Sequence, residues 1–166
     1  FVKTKSKYVI KFVNWDNSEL QSEELEYGTM PSYSGETPIK EATAQYSYTF
    51  KAWSPSIKIV TGEATYVATF AETINQYTIT FYSEDGSLVL GSSTVNYGTN
   101  ASFNGTTPTK ESTAEFTYTF DTWVTEVGGN TKDDLTNVTE NRDVYASFKA
   151  TKNKYTIKFI NWNNAV

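Results

Sequence analysis

The chain has 166 residues and a formal net charge of −5 from 14 basic and 19 acidic groups, with a pI near 4.8. It contains no His and no Cys, which excludes an imidazole base, a thiol nucleophile, a disulfide and any His- or thiolate-ligated metal. The acidic balance disfavours nucleic acid and anionic membrane surfaces as partners, and no apolar run approaches the 18 residues needed to span a bilayer. Four Trp, 12 Tyr and 10 Phe supply enough apolar area for a core.

Taken in chain order, Tyr8, Ile10 and Phe12 alternate with Val9, Lys11 and Val13, the period of a half-buried strand. Asn14-Trp15-Asp16-Asn17 reads as a hairpin turn. Thr37-Pro38 suits an N-cap followed by Pro at the first helical position, so one or two helical turns are expected there. Tyr46, Tyr48 and Phe50 alternate as a strand, and Trp53 breaks the alternation by an odd step, which a β-bulge would accommodate. Tyr66, Ala68 and Phe70 form a closing strand, and Ala71–Gln76 reads as a short linker that would leave neighbouring units semi-rigid.

The order then repeats. Tyr77-Thr78-Ile79-Thr80-Phe81 restates the first strand, and Tyr155-Thr156-Ile157-Lys158-Phe159 restates it again; Tyr8 to Tyr77 is 69 residues and Tyr77 to Tyr155 is 78. Between the copies, Tyr27-Gly28-Thr29 matches Tyr97-Gly98-Thr99, and Thr37-Pro38-Ile39-Lys40-Glu41 matches Thr107-Pro108-Thr109-Lys110-Glu111. Tyr48-Thr49-Phe50 with Trp53 matches Tyr118-Thr119-Phe120 with Trp123, and Ala68 and Phe70 match Ala146 and Phe148. Residues 7–75 and 76–153 are thus read as two repeat units, 1–6 as the tail of a preceding unit and 154–166 as the head of a following one; the sequence reads as a segment of a longer array. The second unit carries about eight extra residues between Trp123 and Val144, and its Lys149–Lys154 is a second expected linker.

These landmarks resemble the Listeria–Bacteroides repeat family, the internalin B B-repeat type. The resemblance implies a small β-grasp-like domain strung in tandem on secreted or wall-anchored bacterial proteins. The expected fold class is therefore α+β and mostly β, with a short helical turn in each unit. The turn departs from the pattern in the first unit, where Asp16-Asn17 stands in place of Asp85-Gly86.

The expected core is Tyr8, Ile10, Phe12, Phe50, Trp53 and Phe70 in the first unit, and Tyr77, Ile79, Phe81, Phe120, Trp123 and Phe148 in the second. Trp15 and Trp162 share a turn position that is Glu84 in the middle copy; with Tyr82 on the drifting strand face, they are the candidate ligand-binding residues. Packing between repeats is the competing role for the two tryptophans. Glu23-Glu24 and Asp133-Asp134 are adjacent pairs whose side chains diverge on a strand, a poor start for acid–base chemistry. Glu41 beside Lys40 and Glu111 beside Lys110 suggest capping or a local ion pair. The acidic stretch from Glu126 to Asp143 lacks calcium-loop spacing, and Asn100, Asn104 and Asn137 stand in sequons read as ordinary polar turns.

The functional expectation is an extracellular tandem-repeat segment of a bacterial surface or secreted protein, serving as spacer or stalk for adhesion. The alternative is a repeated module binding a host protein or a glycan through exposed aromatics. No catalysis, cofactor, metal, nucleic acid or membrane insertion is expected; neighbouring repeats of the same chain are expected partners.

Overall fold

The structure is a computed structural model that describes residues 4–160 and 162. Residues 1–3 of the expected preceding tail, and 161 and 163–166 of the expected following head, lie outside the described residues. The chain divides after Asn75 into two compact units.

Unit 1 is built from β1 (Lys7–Val13), β2 (Glu19–Glu26), β3 (Tyr46–Ser54) and β4 (Ala64–Ile74), in the sheet order β2-β1-β4-β3. β1 pairs antiparallel with β2 and parallel with β4, with Ile10 opposite Ala64 and Phe12 opposite Tyr66. Unit 2 repeats this with β5 (Gln76–Tyr82), β6 (Val89–Asn96), β7 (Phe116–Val124) and β9 (Arg142–Lys152), and adds the two-residue β8 (Lys132–Asp133) at the edge. The parallel register recurs, with Ile79 opposite Arg142 and Phe81 opposite Val144.

Alternation places the apolar residues. Ile10, Phe12, Ile79 and Phe81 are fully buried, with Tyr8 and Tyr77 packed partly buried beside them. The odd step before each tryptophan is a register shift, between Phe50 and Ala52 in β3 and between Phe120 and Thr122 in β7. The bulge turns Trp53 and Trp123 onto the same face as Phe12 and Phe81. Trp123 is more deeply buried than Trp53 because β8 pairs alongside it, Trp123 opposite Asp133. Phe50 faces Phe70, and Phe120 faces Phe148, at 6.1 Å between centroids; all four are half-buried.

Four expectations need correction. There is no helix among the described residues, so the units are all-β rather than α+β. After Pro38 the only large apolar side chain before β3 is Ile39, which is exposed, and the stretch after Pro108 has none. A helix there would have no apolar stripe to bury, and a short helix is not stable without one. The segment has no regular secondary structure: Pro38 is buried, and Thr43 closes a turn in which the Tyr46 amide donates to its Oγ1 at 2.9 Å. Thr113 does the same for Phe116 at 3.0 Å.

The expected linkers are strand. β4 continues to Ile74 and β5 starts at Gln76, while β9 continues to Lys152. Asn75 and Asn153 explain the long strands. Asn75 Nδ2 donates to the carbonyls of Thr43 and Ala44, and its amide to that of Gln45; Asn153 repeats all three bonds with Thr113, Ala114 and Glu115.

The third copy of the first strand does not form one. Tyr155, Ile157 and Phe159 are exposed and unassigned to any strand, although the Tyr155 hydroxyl donates to the Ala114 carbonyl.

Lastly, Lys40 and Lys110 do not pair with their neighbours Glu41 and Glu111, which are exposed. Lys40 pairs with Glu72 at 3.8 Å and Lys110 with Glu84 at 2.5 Å.

Candidate functional site

The turn between β5 and β6 is organised by one carboxylate. Asp85 Oδ1 accepts from the Ser83 hydroxyl at 2.6 Å, the Ser87 hydroxyl at 2.8 Å and the Ser87 amide at 3.1 Å. These bonds, led by that of the Ser83 hydroxyl, hold the Asp85 carboxyl down at about 2. Gly86 completes the turn with a φ of +74°. The first unit makes the same turn without glycine: Asn17 takes a φ of +67°, and Asp16 accepts from the Ser18 hydroxyl at 2.6 Å, which lowers its pKa.

Facing this turn is the Thr-Pro-x-Lys segment. In unit 1, Asn14 Nδ2 donates to the Ile39 carbonyl at 3.0 Å and ties the two together. Lys40 Nζ then lies 3.7 Å from the Tyr48 ring centroid and 5.3 Å from that of Trp15. In unit 2, Lys110 Nζ lies 4.6 Å from the Tyr118 ring and 5.9 Å from that of Phe148. Here Glu84 occupies the turn position of Trp15, and its carboxylate reaches the same lysine. The lysine of each unit thus meets two rings and one carboxylate, but the carboxylate is Glu72 on β4 in the first unit and Glu84 in the turn in the second.

The exchange of Trp for Glu goes with an open groove of about 500 Å³ in unit 2. Leu88, Leu90, Pro108, Ala146 and Phe148 line it with apolar surface; Ser83, Glu84, Asp85 and Lys110 give it a polar rim. An apolar floor with a few convergent polar groups is the usual make-up of a small binding site.

The candidate ligand residues fare differently. Trp15 is half-exposed and stands over Lys40. Tyr82 stacks on Tyr145, its partner across the parallel pair, at 5.5 Å and 25° between planes. Trp162 is exposed. Trp15 belongs to unit 1, and Tyr82 and Trp162 to unit 2. Among the described residues no group of three or more acidic side chains is placed to hold a metal ion. In the acidic insertion, Asp133 instead binds Arg142, the chain's single arginine: its carboxylate oxygens lie 2.8 Å from Nε and 3.0 Å from Nη2. Glu23 turns inward beside Gln21, whose Nε2 donates to it at 3.1 Å, while Glu24 is exposed, so the adjacent pair does diverge. The sequon residue Asn100 accepts the Asn137 amide through its Oδ1 at 3.1 Å.

No family model matches the chain, and no curated protein matches it. A solved structure of Streptococcal High Identity Repeats in Tandem (SHIRT) domains 3-4 from a cell surface protein is similar at 18% identity and a TM-score of 0.37. That likeness covers 89% of this chain and 99% of the other.

Four contributors escape a reading by periodicity. Val60 and Val138 are buried outside any strand, each bonded through its backbone to a Tyr-Gly-Thr motif: Gly28 donates to the Val60 carbonyl at 2.8 Å, and Gly98 to that of Val138 at 2.7 Å. Tyr33 and Phe103 pack on the core rings. The available signal was the aromatic-x-Gly pattern, Tyr33-Ser34-Gly35 and Phe103-Asn104-Gly105, preceding each Thr-Pro.

Proposed function

We propose that this chain is a tandem-repeat segment of a bacterial surface or secreted protein, working outside the cell as a spacer or stalk for adhesion. The observation that carries the reading is repetition at the level of register. Each unit has the same central parallel pair, the same bulge before its tryptophan, the same asparagine pin and its own core. Units that each bury their own core suit an array in which length is set by copy number.

The landmarks of the Listeria–Bacteroides repeat resemblance support the same reading. The Tyr-Gly-Thr motif makes the bond to Val60 or Val138, Thr-Pro-x-Lys supplies the ringed lysine, and Tyr-Thr-Phe-x-x-Trp carries the bulge. On this reading the unit is a β-grasp-like sheet with an extended segment where a helix would cross. No helix among the described residues is long and apolar enough to cross a membrane. The proposal gives the chain no catalytic role, cofactor or metal, and neither nucleic acid nor a membrane as partner.

Small-angle scattering tests it. A single compact body of this length has a radius of gyration of about 15 Å. A spacer requires a value well above that, and one near 15 Å would overturn the proposal.

The groove of unit 2 favours a second reading, a module that contacts a host protein or glycan while spacing. Binding on a protein and glycan array, lost in a folded variant of Trp15 or of the groove, is the result that would support it.

A further inference from the structure

We infer that Asn104 is a site of spontaneous deamidation, a covalent change open to unit 2 and not to unit 1. The inference is independent of the spacer and binding readings above. Asn104-Gly105 is the chain's single Asn-Gly step. Glycine is fixed there by packing: a Cβ at 105 would lie 2.4 Å from Phe103 Cζ, so no larger residue fits against the ring. Residue 104 therefore decides the reactivity. Unit 1 has the same glycine against the same kind of ring, Gly35 beside Tyr33, but Ser34 precedes it.

The surroundings favour the reaction. Asn104 and Gly105 are both exposed, so water reaches them. Among the described residues nothing accepts a hydrogen bond from the Gly105 amide, and no side chain at 105 shields its nitrogen. The Ser102 hydroxyl donates to Asn104 Oδ1 at 3.4 Å, which polarises the side-chain carbonyl for attack. In the step, the Gly105 nitrogen gives up its proton and bonds to Asn104 Cγ; the Cγ–Nδ2 bond breaks, and Nδ2 leaves as ammonia with that proton. One water then opens the cyclic imide. Attack at Cγ leaves aspartate; attack at the main-chain carbonyl leaves isoaspartate, whose backbone is one methylene longer. Either product adds one negative charge to the chain's −5. The added methylene adjoins Gly105 and disturbs its close fit against Phe103, whose ring packs 5.0 Å from both Phe81 and Trp123. Asp85-Gly86 is protected by contrast. The Gly86 amide donates to the Ser83 carbonyl at 3.0 Å, and an ionised carboxylate offers no neutral leaving group.

The test is to hold the purified whole chain in warm, mildly alkaline buffer beside the peptide acetyl-Ser-Phe-Asn-Gly-Thr-amide, following intact mass and peptide maps. A gain of about 1 Da at residue 104, as a mixture of aspartate and isoaspartate, is expected at a rate within about tenfold of the peptide's and ahead of every other asparagine. Protein isoaspartyl methyltransferase, which labels isoaspartate, reads the second product. Asn104→Ser, the residue unit 1 carries, should abolish both signals with the circular dichroism unchanged. Asn104→Asp supplies the charge without the methylene. Hydrogen exchange around Phe103 and Trp123 should quicken in the isoaspartate fraction, and stay at the parent's level in Asn104→Asp and throughout unit 1. An intact residue 104 after the peptide has converted, conversion led by another asparagine, or signals that survive Asn104→Ser overturns the inference. Unchanged exchange in the isoaspartate fraction overturns its link to the core.

Discussion

The Phe12 ring meets the Trp53 indole edge-on, 4.8 Å between centroids and 71° between planes. Phe81 and Trp123 repeat the contact at 4.8 Å and 63°. A unit of this size has limited surface to bury, so ring-on-ring packing carries much of its stability. Trp123→Ala, at a position only 6% exposed, should destabilise unit 2 by about 3–5 kcal/mol. Trp53→Ala should fall at the lower end of that range, because the side chain is only partly buried. Urea unfolding followed by circular dichroism reads both; a cost under about 1 kcal/mol for Trp123→Ala would remove the indole from the core.

A tighter constraint operates two residues after Tyr33 and Phe103. A Cβ on Gly35 would lie 2.4 Å from the Tyr33 hydroxyl oxygen, and one on Gly105 would lie 2.4 Å from Phe103 Cζ. Neither ring can swing away freely, since Tyr33 packs 4.9 Å from Trp53 and Phe103 packs 5.0 Å from Trp123. Gly35→Ala and Gly105→Ala should therefore each cost about 1–3 kcal/mol, as overpacking does elsewhere. Gly62→Ala, where a Cβ meets nothing within 4 Å, serves as the comparison and should be near neutral. Equal melting temperatures for all three variants would contradict the close approach.

These two cases show which parts of the fold a period can announce. Tyr8, Ile10 and Phe12 sit on one strand face, so alternation by itself marks them as core. Tyr33, Phe103, Val60 and Val138 lie outside the named strands, so strand alternation does not mark them. Thr37-Pro38 carries a helix-start signal, but the residues after it have no face to bury, and burial outweighed the cap. The groove was hidden for a different reason. Trp15 and Glu84 align at one turn, and nothing local to the turn says that both reach the lysine some 25 residues later.

The asparagine pins should respond alike in both units. Asn75 Nδ2 donates at 2.8 and 3.1 Å, and Asn153 Nδ2 at 3.0 and 3.1 Å, to the two carbonyls before β3 or β7. Removing the amide leaves those carbonyls to water at this exposed site, so Asn75→Ala or Asn153→Ala should cost about 1 kcal/mol each. Hydrogen exchange at residues 43–46 or 113–116 should quicken in the matching unit alone. Exchange that quickens equally in both units would show that the pins do not act locally.

Acid should loosen the turn beside the groove before it unfolds a unit. Asp85 is held down at about 2 from an ordinary 3.8 by the Ser83 and Ser87 bonds, so the folded state favours its ionised form. A carboxyl with a depressed folded pKa stabilises the fold fully above its unfolded pKa, and that contribution fades as pH falls through the folded value. The window is therefore roughly pH 4 down to 2. Asp16 and Asp134 are lowered in the same direction, chiefly by the hydroxyls of Ser18 and Thr136, and titrate with the same sign. Asp85→Asn removes the titrating group and keeps a side-chain acceptor for the turn. Its melting temperature should trail that of the parent chain at pH 6, and the gap should close as pH approaches 2. Parallel curves across that range would mean that the ionised Asp85 adds nothing to the fold.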